Sequence, residues 1–198
     1  LQKMTYLPEH GVYEYPYTPE SFPWFYDKEQ WIKYLDMLVA NRMNSLYLWN
    51  GHPFASLVKL EDYPFALEVD EETFKMNEEM FSFLTEEADK RGIFVIQMFY
   101  NIILSKPFAE HYGLKTQDRN RPITPLIADY TRKSIAAFIE KYPNVGLLVC
   151  LGEAMCTVED DVEWFTKTID VNIQSNLDAN SKARARSWRL LKLEEAIA

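Results

Sequence analysis

The chain reads as an α/β protein, a partial (β/α)8 (TIM) barrel of about four strand–helix units with parallel strands. Three observations predict this. Strand and helix patterns alternate along residues 11 to 170, and the last two strands are continuous apolar runs, as in sheets covered on both faces. The helix-to-strand turns ("RMN", "KRG", "YPN") are short, whereas long segments follow the strands. Long loops above short turns are the barrel pattern, with chemistry at the strand C-terminal face. A doubly wound open sheet is the competing topology; no Gly-rich phosphate loop follows any strand, which weakens its dinucleotide-binding form.

Each element has a local reason. Alternating apolar and polar residues suit a first strand near Gly11 to Tyr15, followed by a loop rich in proline and aromatics. Asp27 is the expected N-cap of an amphipathic helix with Trp31, Leu35, Leu38 and Val39 on its buried face. "SLYLWN", Ser45 to about Asn50, is the second strand. Helix returns near Asn77, with Met80, Leu84, Glu87, Ala88 and Arg91 at helical spacing and Gly92 as the stop. The acidic stretch before it reads as a solvated approach. The third strand runs from Ile93 to about Asn101. Thr124 and Pro125 open a helix that closes at Tyr142, before Pro143. The fourth strand, Val145 to Leu151, leads to a helix capped by Thr157 and marked by Val158, Val162, Phe165 and Ile169.

The predicted domain spans residues 1–170. Residues 171–198 form a tail outside the barrel plan: helix-compatible, without a strand of the earlier kind, and net basic with five Lys and Arg against three Asp and Glu. A truncated gene or a change of reading frame would each produce such a tail.

Composition narrows the function. Nearly half of the 198 residues are hydrophobic, enough for a real core. A net charge of −9 argues against nucleic acid, which needs clustered Lys and Arg. No apolar run reaches membrane-span length. The opening "LQKMTYLPEH" has no signal-peptide core and does not begin with Met, which predicts a mature or excerpted chain. Cys150 and Cys156 make no disulfide framework, and Cys150 reads as a small buried hydrophobe.

The chemistry-bearing residues fall at the strand ends. "NVGLLVCLGEAMC" places a carboxylate, Glu153, just past the most apolar run in the chain. A barrel would gather it at one rim with Tyr15 and Tyr17, with Trp49, Asn50 and His52, and with Gln97, Tyr100 and Asn101. Amides, aromatics and one acid suit a polyol: flat sugar faces stack on rings, and hydroxyls need both donors and acceptors. A partly buried carboxylate has its pKa raised, as a general acid requires. Plainer roles compete. Asn50-Gly51 is turn chemistry, His52 can sit behind the surface, and Gln97 can satisfy a backbone group inside the fold. Phe22, Trp24, Phe25 and Tyr26 read as a plug over the barrel end, and Arg119 and Arg121 as part of an exposed polar loop. No HExxH pair, zinc spacing or GxSxG elbow occurs, so no metal and no acyl-transfer serine is expected.

Three segments, "GVYEYPYTPESFPWFYD" with "W..YLDMLVANRMNSLYLWNGHPF", then "EEADKRGIFVIQMFYNI" and "YPNVGLLVCLGEAM", resemble the first half of the catalytic barrel of bacterial glycoside hydrolases. Among these the likeness is to the group including hexosaminidases and alpha-glucuronidases, over roughly residues 11 to 156. The resemblance implies a carbohydrate substrate, no cofactor, and Glu153 as acid/base. Hexosaminidases end this strand in Asp-Glu; here Gly152-Glu153 stands, which argues against an N-acetyl-assisted mechanism. It also implies a second carboxylate from a later strand, beyond the part seen here. A carbohydrate-binding remnant without catalysis is the alternative. Half a barrel has open edges, so self-association is a further expectation. A periplasmic or extracellular bacterial setting follows from the resemblance alone.

Overall fold

A computed structural model describes residues 16–150 and 157–170. The expected strand at Gly11 to Tyr15, Glu153 and the 171–198 tail therefore lie outside the described residues.

Among the described residues three strands, β1 (Ser45–Trp49), β2 (Phe94–Tyr100) and β3 (Val145–Cys150), form one sheet in the order β1-β2-β3. Both pairings are parallel, with Leu48 opposite Gln97, Trp49 opposite Met98 and Tyr100 opposite Cys150. The helices are α1 (Lys28–Ala40), α2 (Phe54–Leu57), α3 (Glu71–Lys90), α4 (Lys106–His111), α5 (Pro125–Lys141) and α6 (Val158–Phe165). The result is an α/β unit built on a small parallel sheet.

Local chemistry sets the helix starts. Asp27 accepts from Gln30 N at 3.0 Å, Thr124 from Ile127 N at 3.4 Å and Thr157 from Asp160 N at 3.1 Å, each satisfying a donor the helix leaves open. Gly92 ends α3 with φ 69°, the left-handed conformation that costs glycine nothing.

Three expectations are corrected. First, α3 begins at Glu71 rather than near Asn77. Asp70 caps it, accepting from Thr73 N at 2.7 Å, and Glu71 and Glu72 complement the positive end of the helix dipole. Asn77 is fully buried mid-helix, its amide donating to Tyr17 O at 2.8 Å and Ser56 O at 3.0 Å. Second, Val39 is exposed; α1 buries only the narrower stripe Trp31, Leu35 and Leu38. Third, α6 buries Trp164 and turns Val158 and Val162 outward. A helix of two turns can bury one stripe, and the indole has the larger apolar area to hide.

The two sheet faces differ. Leu46, Leu48, Val95, Phe99, Val145 and Leu147 join the main core with Leu35 of α1, Phe81 and Leu84 of α3, and Phe138 of α5. The aromatic cluster before α1 belongs to this core: Phe22 and Phe25 are buried, and the Trp31 indole donates to Phe25 O at 2.8 Å. Met98 and Tyr100, of opposite parity, make a second, smaller cluster with Ile102 and Ile103 just past β2, flanked by Leu148 and Cys150. On that face Tyr47 and Trp49 are 44% and 41% exposed. Helices thus cover one face of the sheet, not both, among the described residues.

Candidate functional site

The strand ends carry a cluster of buried polar side chains. Asn50 follows β1; its Oδ1 accepts from His52 N at 3.0 Å, an Asx turn that redirects the chain. This turns His52 inward, where it is 6% exposed. Its Nε2 lies 2.8 Å from the Tyr130 hydroxyl of α5, the two rings stack at 5.9 Å, and Nδ1 has no partner among the described residues. The imidazole is neutral: burial first, and the charge of Arg121 second, push its pKa down to about 3.

Gln97 is fully buried on the helix-covered face, with Leu48 and Leu147 as its register partners. Its amide donates to Met98 O at 3.0 Å and Leu48 O at 3.3 Å, and its Oε1 accepts from the Tyr17 hydroxyl at 3.5 Å. The sequence reading put it on the ligand rim; period-two alternation puts it behind the sheet instead. Tyr17 lies there too, buried, with its hydroxyl held protonated by desolvation.

Trp49 and Tyr100 sit together on the other face, ring centroids 5.9 Å apart and 71° between planes, and Tyr47 meets Trp49 edge-on at 6.0 Å. Tyr100 N donates to Gly51 O at 2.9 Å, joining the ends of β1 and β2. Asn101 comes next, 6% exposed, with neither Nδ2 nor Oδ1 bonded to a protein group among the described residues. Glu153 and Tyr15 are outside the described residues. The structure therefore brings Trp49, Tyr100, Asn50, His52 and Asn101 to one end of the sheet and takes Gln97 away.

Two residues here were missed or misread from sequence. Arg121, expected in an exposed loop, is 9% exposed. Its Nη1 donates to Ile102 O at 3.1 Å, and its Nη2 to Thr116 O at 3.3 Å and to Lys115 O. Burial lowers the guanidinium pKa to about 10. Nothing in "QDRNRP" separates it from exposed Arg119. Ser105 is fully buried, donates to Ala66 O at 2.6 Å and accepts from Phe108 N at 3.3 Å, tying the loops after β1 and β2 together. Its signal was legible: a serine two residues before a proline is a helix start.

Among the described residues no group of three or more His, Cys, Asp or Glu is placed to hold a metal ion, and no helix is long and apolar enough to cross a membrane. Donors and acceptors beside two aromatic rings are what this end of the sheet offers, and they suit a neutral hydroxylated ligand.

No protein-family model and no curated protein matches the chain. A solved structure described as a GH138 enzyme targeting pectin rhamnogalacturonan II is 85% identical, with a TM-score of 0.84 over 89% of this chain. The chain spans only 21% of that enzyme's length. At such identity over nearly all of this sequence, the chain is related to a glycoside hydrolase.

Proposed function

We propose that this chain is the first half of a (β/α)8 glycoside hydrolase catalytic domain, over residues 1–170, with the 171–198 tail outside it. Its substrate is a pectic carbohydrate. The observation that carries the reading is the 85% identity to an enzyme described as targeting pectin rhamnogalacturonan II. The parallel sheet with one uncovered face supports the barrel plan, as does the likeness of the strand segments to hexosaminidases and alpha-glucuronidases.

In this reading Trp49 and Tyr100 stack on the sugar, while Asn50, His52 and Asn101 hold hydroxyls. Glu153, three positions past the end of β3, is the general acid. Its protonated carboxyl gives a proton to the glycosidic oxygen as the bond to the anomeric carbon breaks. A second carboxylate, from a later part of a longer chain or from a second copy, attacks that carbon or activates water. The neutral His52 neither donates nor takes this proton.

The test is hydrolysis of rhamnogalacturonan II oligosaccharides by the 198-residue chain and its Glu153→Gln variant. Loss of turnover by about 10²-fold or more supports the acid role. Equal turnover by both removes it. A second reading is carbohydrate binding without catalysis. Saturable binding without turnover selects it.

A further inference from the structure

The loop from Asn101 to Arg121 is organised by one buried cation. Ile103 and Gln117 pair as an antiparallel bridge, Leu104 N donates to Thr116 O at 2.9 Å, and Asp118 N reaches Ile102 O at 3.4 Å. The guanidinium of Arg121 gathers the same two carbonyls, Ile102 and Thr116, and that of Lys115. The charge of Asp118 attracts it and opposes part of the effect of its burial. Burying a guanidinium is costly, and charge-assisted bonds to several carbonyls offset part of that cost. A planar fork reaches three acceptors at fixed angles; a lysine ammonium on a flexible stem does not.

The clasp has a consequence for the residue beside it. Ile102, whose carbonyl Arg121 holds, follows Asn101 directly. Tyr100, which precedes Asn101, is tied to Gly51 through its N–H. Asn101 is thus fixed from both sides while its own amide is buried and bonded to no protein group among the described residues. Buried polar atoms in native folds nearly always have a partner, so a fixed, unpartnered amide at a strand end is one held ready for a ligand or water.

We propose that Arg121 is the positioning residue of the carbohydrate site, acting through Asn101, whose amide meets a sugar hydroxyl. This rests on the reading above that the strand ends bind carbohydrate; the clasp itself does not. The side-chain amide resonance of Asn101, assigned by its loss in Asn101→Leu, reports the positioning without any ligand. In Arg121→Lys it shifts and exchanges faster with water. If it keeps its position, Arg121 does not set Asn101, whatever the glycan result. Should Arg121→Lys fail to fold, the wild type still decides: the Arg121 Nη signals show slowed rotation about the Nε–Cζ bond, and free rotation means that no clasp exists.

Binding of a rhamnogalacturonan II oligosaccharide supplies the second arm. Arg121→Lys and Asn101→Leu each weaken it about tenfold, with no further loss in the double variant. Additive losses overturn the proposal, as does undiminished binding by Arg121→Lys. Absence of binding by the wild type overturns the carbohydrate reading and this site role with it. The amide and guanidinium signals then report only whether the clasp exists.

Discussion

Gly146 lies on the uncovered face of β3, and Phe94 lies across it. A Cβ added to Gly146 would stand 2.6 Å from Phe94 Cζ and 2.9 Å from Cε1, closer than carbon atoms approach. In Gly146→Ala the ring must turn away or the strand must shift. Overpacking of this kind costs about 1–3 kcal/mol. Alanine returns part of it, because a glycine inside a strand is worse by about 0.5–1 kcal/mol through its larger unfolded-state freedom. The difference is a net loss of up to about 2.5 kcal/mol. For a chain of this size that lowers Tm by up to about 10 °C. The assay is thermal melting of Gly146→Ala in two backgrounds, wild type and Phe94→Leu. A shorter side chain at position 94 removes the clash, so in that background the same substitution is neutral or stabilising. An equal drop in both backgrounds would refute the reasoning, because the loss would then owe nothing to the ring.

Ser105→Ala removes the cap of α4 and strands the buried Ala66 carbonyl that Ser105 now satisfies at 2.6 Å. The expected loss is about 1–3 kcal/mol, read as a lower urea midpoint, and an unchanged midpoint would deny that these two loops are tied through this hydroxyl. His52 makes stability depend on pH. Its folded pKa of about 3 lies below the ordinary 6.5, so the unfolded chain takes up the proton first. The stability it confers is complete above pH 6.5 and is lost as pH falls toward 3, at about 1.4 kcal/mol per pH unit. Urea titrations from pH 7 to 4 show this slope in the wild type and a flatter one in His52→Gln; equal slopes would mean that the imidazole is not buried neutral.

Much of the fold was legible because its signals are local. Asp27, Thr124, Thr157 and Gly92 stand where their helices begin or end, since a cap acts within three residues of itself. The start of α3 was misjudged for the same reason in reverse. Asp70, Glu71 and Glu72 look like solvated loop, yet acids at a helix N-terminus are stabilising, and the turn is confirmed only by Phe74 and Asn77 finding the core. The short helices α2 and α4 lie in segments read as plain loop; four and six residues are too few for a helical period to declare itself. At α6 the period was present but the choice of buried stripe was not, because it depends on where Trp164 finds room.

The site was half legible, and the missing half is a matter of parity. Sequence shows which polar residues end a strand; only the register shows which face they take. Gln97 and Tyr100 are three residues apart on one strand, so they face opposite ways whatever the register. Pairing with β1 then decides between them: Leu48 opposite Gln97 sends that amide into the apolar core, and Trp49 opposite Met98 keeps its indole on the side of Tyr100. A glutamine under the helices must be fully bonded, and it is, to two carbonyls and a tyrosine hydroxyl. Asn101 and His52, past the strand ends, escape the alternation, and both keep polar atoms without partners among the described residues. In the proposed reading a ligand at this end of the sheet meets two rings on one face and amide and imidazole groups at the rim. These groups stack and orient but carry no acid, since the one imidazole is held neutral. In the proposed reading the acid is Glu153, in the segment that follows β3 in the sequence.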